Sequence, residues 1–177
     1  HNLAKAQAWS MQIEAYRDQG VNGICPWTLV EGGALDDTNP LYVAQRQAFR
    51  PIAAFPRQYN ANFYGGDEVD RDLAVHNDVL SSSDLDLTWE LLVDGKRTAR
   101  GDEELTLAPG ERTHARIRFR VPRVANRTPL DLVLRVHRDG ELRFEEHYPG
   151  AAWPRSGVAI PRRPRVVVYD PAGGLEG

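Results

Sequence analysis

One cysteine, Cys25, stands in 177 residues. That scarcity excludes an internal disulfide and a thiolate metal cluster, and Cys25 is expected to be a small buried residue. Lysine is almost as rare. Lys5 and Lys96 are the only two among 22 basic residues, an arginine bias expected of a GC-rich bacterial source. Positive charge in excess is missing too: the net charge is -3, so no overall field draws the chain to nucleic acid or to a membrane surface. No apolar run approaches the roughly 18–20 residues needed to span a bilayer. The five histidines, His1, His76, His114, His137 and His147, show no i, i+4 pair and have no companion cysteines, so neither a metal site nor a cofactor is expected. The chain also lacks an initial Met and a signal peptide. It begins at His1 inside a helical pattern and is expected to be an excised segment, which leaves its localisation open.

What is present is ordinary globular material, 41% hydrophobic and 27% charged, enough for one large domain or for one domain and a piece of another. Over residues 3–19, Leu3, Ala6, Trp9, Ile13 and Tyr16 recur at spacings of three and four, which predicts an amphipathic helix stopped by Gly20. Asn22-Gly23 and Gly32-Gly33 bound a short apolar stretch that predicts a strand at about 22–30. After the polar loop Asp36-Asp37-Thr38, Asn39 caps a second helix with Pro40 at its first position, running to about Phe49. Pro51 to Phe55 is expected to be a shorter turn ended by Pro56.

From Val69 the period changes to two. Leu85, Leu87, Trp89, Leu91 and Val93 alternate with polar residues, the pattern of a half-buried strand. Asp94-Gly95 and Asp139-Gly140 are hairpin turns. Leu105 and Leu107, then Ala115, Ile117, Phe119 and Val121, then Leu130, Leu132, Leu134 and Val136, then Leu142, Phe144 and Tyr148 give further strands. About seven short strands over about 80 residues predict an immunoglobulin-like sandwich without its disulfide, with Trp89 as its central aromatic. Arg116, Arg118 and Arg120 share one face, expected to pair with Glu141, Glu145 and Glu146 on a wet surface. Residues 149–165 hold four prolines and four arginines and are expected to be a linker. Residues 166–169 are expected to start a further domain. The expected division is 1–58, 59–150 and 151–177.

A strand between two helices is the repeat unit of an α/β barrel, and ligand contacts gather at the carboxyl ends of barrel strands. The stretch 21–33, with Pro26-Trp27 and Glu31 before two glycines, resembles the last strand of the (β/α)8 barrel of glycoside hydrolases related to β-galactosidase, β-glucuronidase and β-mannosidase. That family also carries sandwich domains around its barrel. The fold expected is therefore mixed: the end of a TIM barrel as helix–strand–helix, then an all-β sandwich. The resemblance implies a segment of a retaining glycosidase acting on carbohydrate, with Trp27 as a stacking platform for a sugar and Glu31 as a partner for its hydroxyls. It implies no catalytic residue here, because the two carboxyls of such an enzyme would precede His1. The partners implied are the carbohydrate, through the complete barrel, and neighbouring domains of the same chain. Trp27 as plain core and Glu31 as a solvated loop acid remain open. So does a different class of function, a non-catalytic immunoglobulin-like module that binds carbohydrate or protein or acts as a spacer.

Overall fold

Alternation of apolar and polar residues dominates from residue 68 onward, and in the computed structural model it produces two stacked sheets. The structure describes residues 2–21, 23–25 and 33–155. Two helices, α1 (Asn2–Asp18) and α2 (Pro40–Ala48), precede eight strands among the described residues: β1 (Ile52–Pro56), β2 (Asn62–Tyr64), β3 (Glu68–Asn77), β4 (Ser83–Val93), β5 (Lys96–Leu107), β6 (Glu111–Arg120), β7 (Thr128–Arg138) and β8 (Glu141–Trp153). One sheet has the order β1-β3-β6 and the other β2-β8-β7-β4-β5. All pairs are antiparallel except β2 with β8. The chain switches sheets after β1, so that β2 runs parallel to the last strand. This two-sheet arrangement, mostly β with two N-terminal helices, is an immunoglobulin-like sandwich.

The core is the one the alternation predicts. Trp89, Ile117, Phe119 and Leu134 are buried together with Leu85, Leu87, Leu91 and Val136. Removing each such side chain from water contributes about 1.5–3 kcal/mol. Trp89 lies tilted against Phe119, centroids 6.2 Å apart, and Phe119 meets Phe63 edge-on at 6.3 Å. Gly101 is the register partner of Trp89 on β5, and a Cβ there would stand 2.5 Å from the indole nitrogen. The glycine makes room for the ring. Asp94-Gly95 turns with φ 52° and 69°, and Asp139-Gly140 with φ 54° and 74°, the positive pair a two-residue hairpin demands. At the other end Asn77, fully buried, donates to the carbonyls of Leu107 and Ala108 and accepts from the Ser83 hydroxyl, tying β3, β4 and β5 together.

Several expectations change. Ile52–Pro56 is a strand, buried at every position, and pairs with β3 from Ile52↔Asn77 to Pro56↔Leu73. A five-residue apolar run between prolines satisfies a doubly covered strand as well as a turn. The expected linker is strand up to Trp153, because β8 continues through Pro149 and Gly150. At Gly150 the Ala61 carbonyl comes so close that a Cβ would lie 2.1 Å from it. The outward arginines of β6 pair with β3 rather than with the glutamates: Arg116 Nε lies 2.9 Å from Asp72 and Arg118 Nε 2.7 Å from Asp70. Directly opposed residues in the β3–β6 register put those charges within reach. Leu142 is half exposed because the register shifts between Val136 and His137. Cys25 is exposed, not buried.

No fragment of a barrel is seen among the described residues. Residues 23–25 carry no strand, and the rest of the strand expected at 22–30, Trp27 and Glu31 included, lies outside the described residues, as do residues 166–169. The two predicted helices do form. Asn39 Oδ1 accepts from the Leu41 amide at 3.0 Å with Pro40 at the first position, and α1 ends at Gly20, φ 77°, with Val21 N bonded to Tyr16 O. They pack on each other, and side chains tie them to the sandwich: Asp18 pairs with His114 of β6, and Gln47 donates to the Glu145 carbonyl of β8. Arg17 joins all three parts: it donates to the Ala48 carbonyl at the end of α2, pairs with Asp78 at 2.8 Å beyond β3, and lies 5.0 Å over the Phe55 ring. The buried face of α1 keeps the expected Ala6 and Ile13 and departs from the expected stripe elsewhere. Ala6, Ile13, Glu14 and Arg17 are buried, while Leu3 and Tyr16 face water.

Candidate functional site

The sheet switch between β1 and β2 leaves a gap in the flank of the sandwich, between the end of β1 and the inner face of β8, and α1 lies across it. The result is a cavity of about 390 Å³, within the range that small-ligand sites occupy. Its floor is apolar, made by Phe63, Phe119, Leu130 and Leu132. Its walls are polar, and they come from elements far apart in the chain.

Glu14, on the buried side of α1, forms one wall with only 7% of its surface exposed. Its carboxyl accepts no hydrogen bond among the described residues. Burial, reinforced by the neighbouring Glu146 and opposed by Arg17, pushes its pKa up to about 8. Opposite it stands Glu146 of β8. Glu146 is in phase with Phe144 and Tyr148, and its register partner on β7 is the core residue Leu134, so the alternation turns its carboxyl inward. Burial raises its pKa too, against hydrogen bonds from the His147 amide and the Gln47 side chain. Tyr148 and Tyr59 complete this acidic end. Burial raises both hydroxyls, Tyr59 to about 12, and the Glu14 charge adds to each shift. Tyr59 also donates to the Met11 carbonyl at 3.2 Å, which fastens the loop after β1 to α1.

The other end is cationic. Arg71 of β3 is in phase with Val69 and Leu73, and it is 5% exposed. Its guanidinium lies 5.0 Å over the Phe63 ring and donates to the Asn60 side chain at 2.8 Å and to the Asn60 carbonyl. Burial alone lowers its pKa, and no carboxylate pairs with it among the described residues. The cavity thus holds two glutamates and a guanidinium on a shared apolar floor, none of them in an ion pair among the described residues. Ser10 and His147 also line it, and among the described residues no group of three or more histidine, cysteine, aspartate or glutamate side chains is placed to hold a metal.

The remaining charged clusters are self-satisfied. On the outer face of the five-stranded sheet Arg97, Glu90, Arg135 and Glu145 form a chain of ion pairs. Hydrogen bonds from Arg97 and Arg135 hold the Glu90 carboxyl below the usual range. Asp18, at the end of α1, is opposed by burial, yet hydrogen bonds from His114 and Arg57 outweigh it and lower its pKa. The exposed aromatics Tyr64 and Trp153, side by side at the sheet edge, each lie under an arginine, Arg155 and Arg127.

The cavity brings together residues that the sequence reading did not select. Trp27 and Glu31, which it did select, lie outside the described residues. The phase of Glu146 with Phe144 was a usable signal for an inward carboxyl; Glu14 offered none, because the side of a helix that meets the sandwich is set by tertiary packing.

No protein-family model matches the chain, and no curated protein does. Solved structures show a distant similarity. A β-glucuronidase of glycoside hydrolase family 2 aligns at a TM-score of 0.42 and 8% identity, over 56% of this chain and 11% of that one. The native α-2-macroglobulin of E. coli aligns at 0.43 and 18%, over 59% and 7%. A CARDB domain from Pyrococcus furiosus aligns at 0.41 and 9%, over 59% of this chain and 96% of that domain. The chain spans about a tenth of the glycosidase, and the likeness to all three is distant.

Proposed function

We propose that this chain is a non-catalytic immunoglobulin-like module of a larger protein and that it binds a small polar ligand in the flank cavity. One observation carries this: Glu14 and Arg71, each more than nine-tenths buried, line the same cavity from different elements, and neither is in an ion pair among the described residues. A polar ligand that reaches these groups gains charge-assisted hydrogen bonds, each worth about 1.5–3 kcal/mol. The test is thermal denaturation of the chain with a panel of small polar compounds, beside a Ser10→Phe variant whose ring plugs the cavity from α1. A ligand that binds only the folded state raises the midpoint in proportion to ln(1 + [L]/Kd). The expected result is a rise for at least one compound in the parent sequence and none in the plugged variant. A panel that leaves both unchanged refutes the cavity as a site. The chain by itself is expected to hydrolyse no aryl glycoside.

A second reading rests on the sequence of residues 23–33 and its resemblance to the last barrel strand of β-galactosidase-type hydrolases. In it the larger protein is a retaining glycosidase with two glutamates upstream of His1, Trp27 stacks on the sugar and Glu31 bonds its hydroxyls. Trp27→Ala in that protein should lower kcat/KM on aryl glycosides by about 100-fold with the fold intact. Normal hydrolysis in the variant returns Trp27 to a structural role.

A further inference from the structure

We propose that the flank cavity binds a small zwitterion, its ammonium group between Glu14 and Glu146 and its carboxylate against Arg71. The inference rests on the cavity being a binding site and goes on to name what it binds. Its basis is the separation of opposite charges. Glu14 and Arg71 both line the cavity, both are more than nine-tenths buried, and no ion pair joins them. Burying a charge without a counter-charge is costly, and chains normally answer by pairing such groups or exposing them. Here Arg71 is neither ion-paired nor exposed, and Glu14 answers instead by holding its proton.

The chemistry of each end selects the complementary group. At the Arg71 end, two of the five guanidinium donors have Asn60 as their acceptor; the rest suit a carboxylate, whose two oxygens match the planar fork. Phe63 beneath the guanidinium fixes its plane. At the acid end Glu14 faces Glu146, and the free chain meets that by keeping a proton on Glu14; an ammonium group between the two carboxyls would take the place of that proton and neutralise both. A neutral sugar brings no charge to either end. An amine alone satisfies the acids and meets repulsion from Arg71, and a carboxylate alone does the reverse. Only a ligand carrying both charges satisfies both walls, and because the walls are fixed to different elements the separation of its charges matters.

The experiment is calorimetric titration of the 177-residue chain with three zwitterions of increasing length, β-alanine, γ-aminobutyrate and ε-aminocaproate. Butylamine, butyrate and methyl glucoside serve as single-charge and neutral probes. One zwitterion is expected to bind at least about tenfold tighter than either single-charge probe and tighter than the other two lengths. Glu14→Gln and Arg71→Met are each expected to weaken it by about tenfold or more, since a charge-assisted hydrogen bond is worth about 1.5–3 kcal/mol. Circular dichroism verifies that both variants fold, and the comparison among probes needs no variant at all. Binding of butylamine or butyrate as tight as any zwitterion overturns the proposal. So does tighter binding of methyl glucoside that Ser10→Phe abolishes, a result that leaves the cavity standing as a site. If no probe of any class binds in a way that Ser10→Phe blocks, the zwitterion and the cavity reading fall together.

Discussion

Glu14→Gln should make the protein more stable at neutral and alkaline pH. The unfolded chain releases the Glu14 proton near the ordinary value of 4.5, whereas the folded chain holds it to about 8. Below 4.5 both states are protonated, and the full stability is present. Between 4.5 and about 8 the unfolded state alone gains by ionising, so stability falls as pH rises. Above about 8 both are ionised and the loss is complete. At about 1.4 kcal/mol per pH unit, that interval amounts to about 5 kcal/mol, a large share of the stability of a domain. Solvent screening does little to reduce it, because the side chain is only 7% exposed. Glutamine has nearly the same shape and no proton to lose. Urea denaturation of both proteins from pH 5 to pH 9 isolates the effect as a difference, in which all other titrating groups cancel. The two should be about equal at pH 5, and the variant should be more stable by several kcal/mol at pH 8. Curves that stay parallel across the range refute the buried carboxyl.

Three further outcomes follow from the packing. His76 is buried, and desolvation, with Arg17 and Arg112, lowers its pKa to about 4; its share of stability is therefore lost as pH falls from 6.5 through 4, and His76→Leu should gain about 3 kcal/mol on the parent sequence between pH 7 and pH 4, a difference readable by urea titration at the two pH values. Trp89→Ala should cost about 3–5 kcal/mol, and Gly101→Ala about 1–3 kcal/mol through its collision with the indole; in a Trp89→Leu background the Gly101→Ala cost should largely vanish, and an additive cycle would show that the glycine is not there for the ring. Arg17→Met should cost about 2–3 kcal/mol, since Asp78 stays hydrated while the Ala48 carbonyl loses its donor; hydrogen exchange should accelerate in α1 and α2 more than in the strands, and a uniform acceleration would contradict the role of Arg17 as the tie between helices and sandwich.

The sandwich was legible and its flank was not, for the same physical reason. A strand that buries one face writes its own orientation into the sequence: Leu85 through Val93 could face only one way, and the two Asp-Gly turns fixed how the neighbouring strands returned. β1 breaks that rule. With the sandwich on one side and the helices over the other, it is apolar throughout, and a continuous run carries no phase from which to tell strand from turn. On α1 the difficulty runs deeper. Of the expected stripe Leu3, Ala6, Trp9, Ile13 and Tyr16, the chain buries Ala6 and Ile13, and with them Glu14 and Arg17 in place of Leu3 and Tyr16. Periodicity weighs hydrophobicity alone, and a helix can bury charge wherever the partner surface supplies a counter-charge or holds a proton in place. Arg17 finds Asp78; Glu14 keeps its proton. Both compensations come from residues distant in the chain, so no local window contains them. Glu146 lies between these cases. Its phase with Phe144 and Tyr148 already turned it inward, but a glutamate in a hairpin rich in arginine is more readily assigned to the wet face. A charged residue in phase with the core of its own strand is a departure from folding logic that the rest of the sandwich obeys, and such departures gather where a protein does something besides fold. Here two of them, Glu146 on β8 and Arg71 on β3, open into the same cavity.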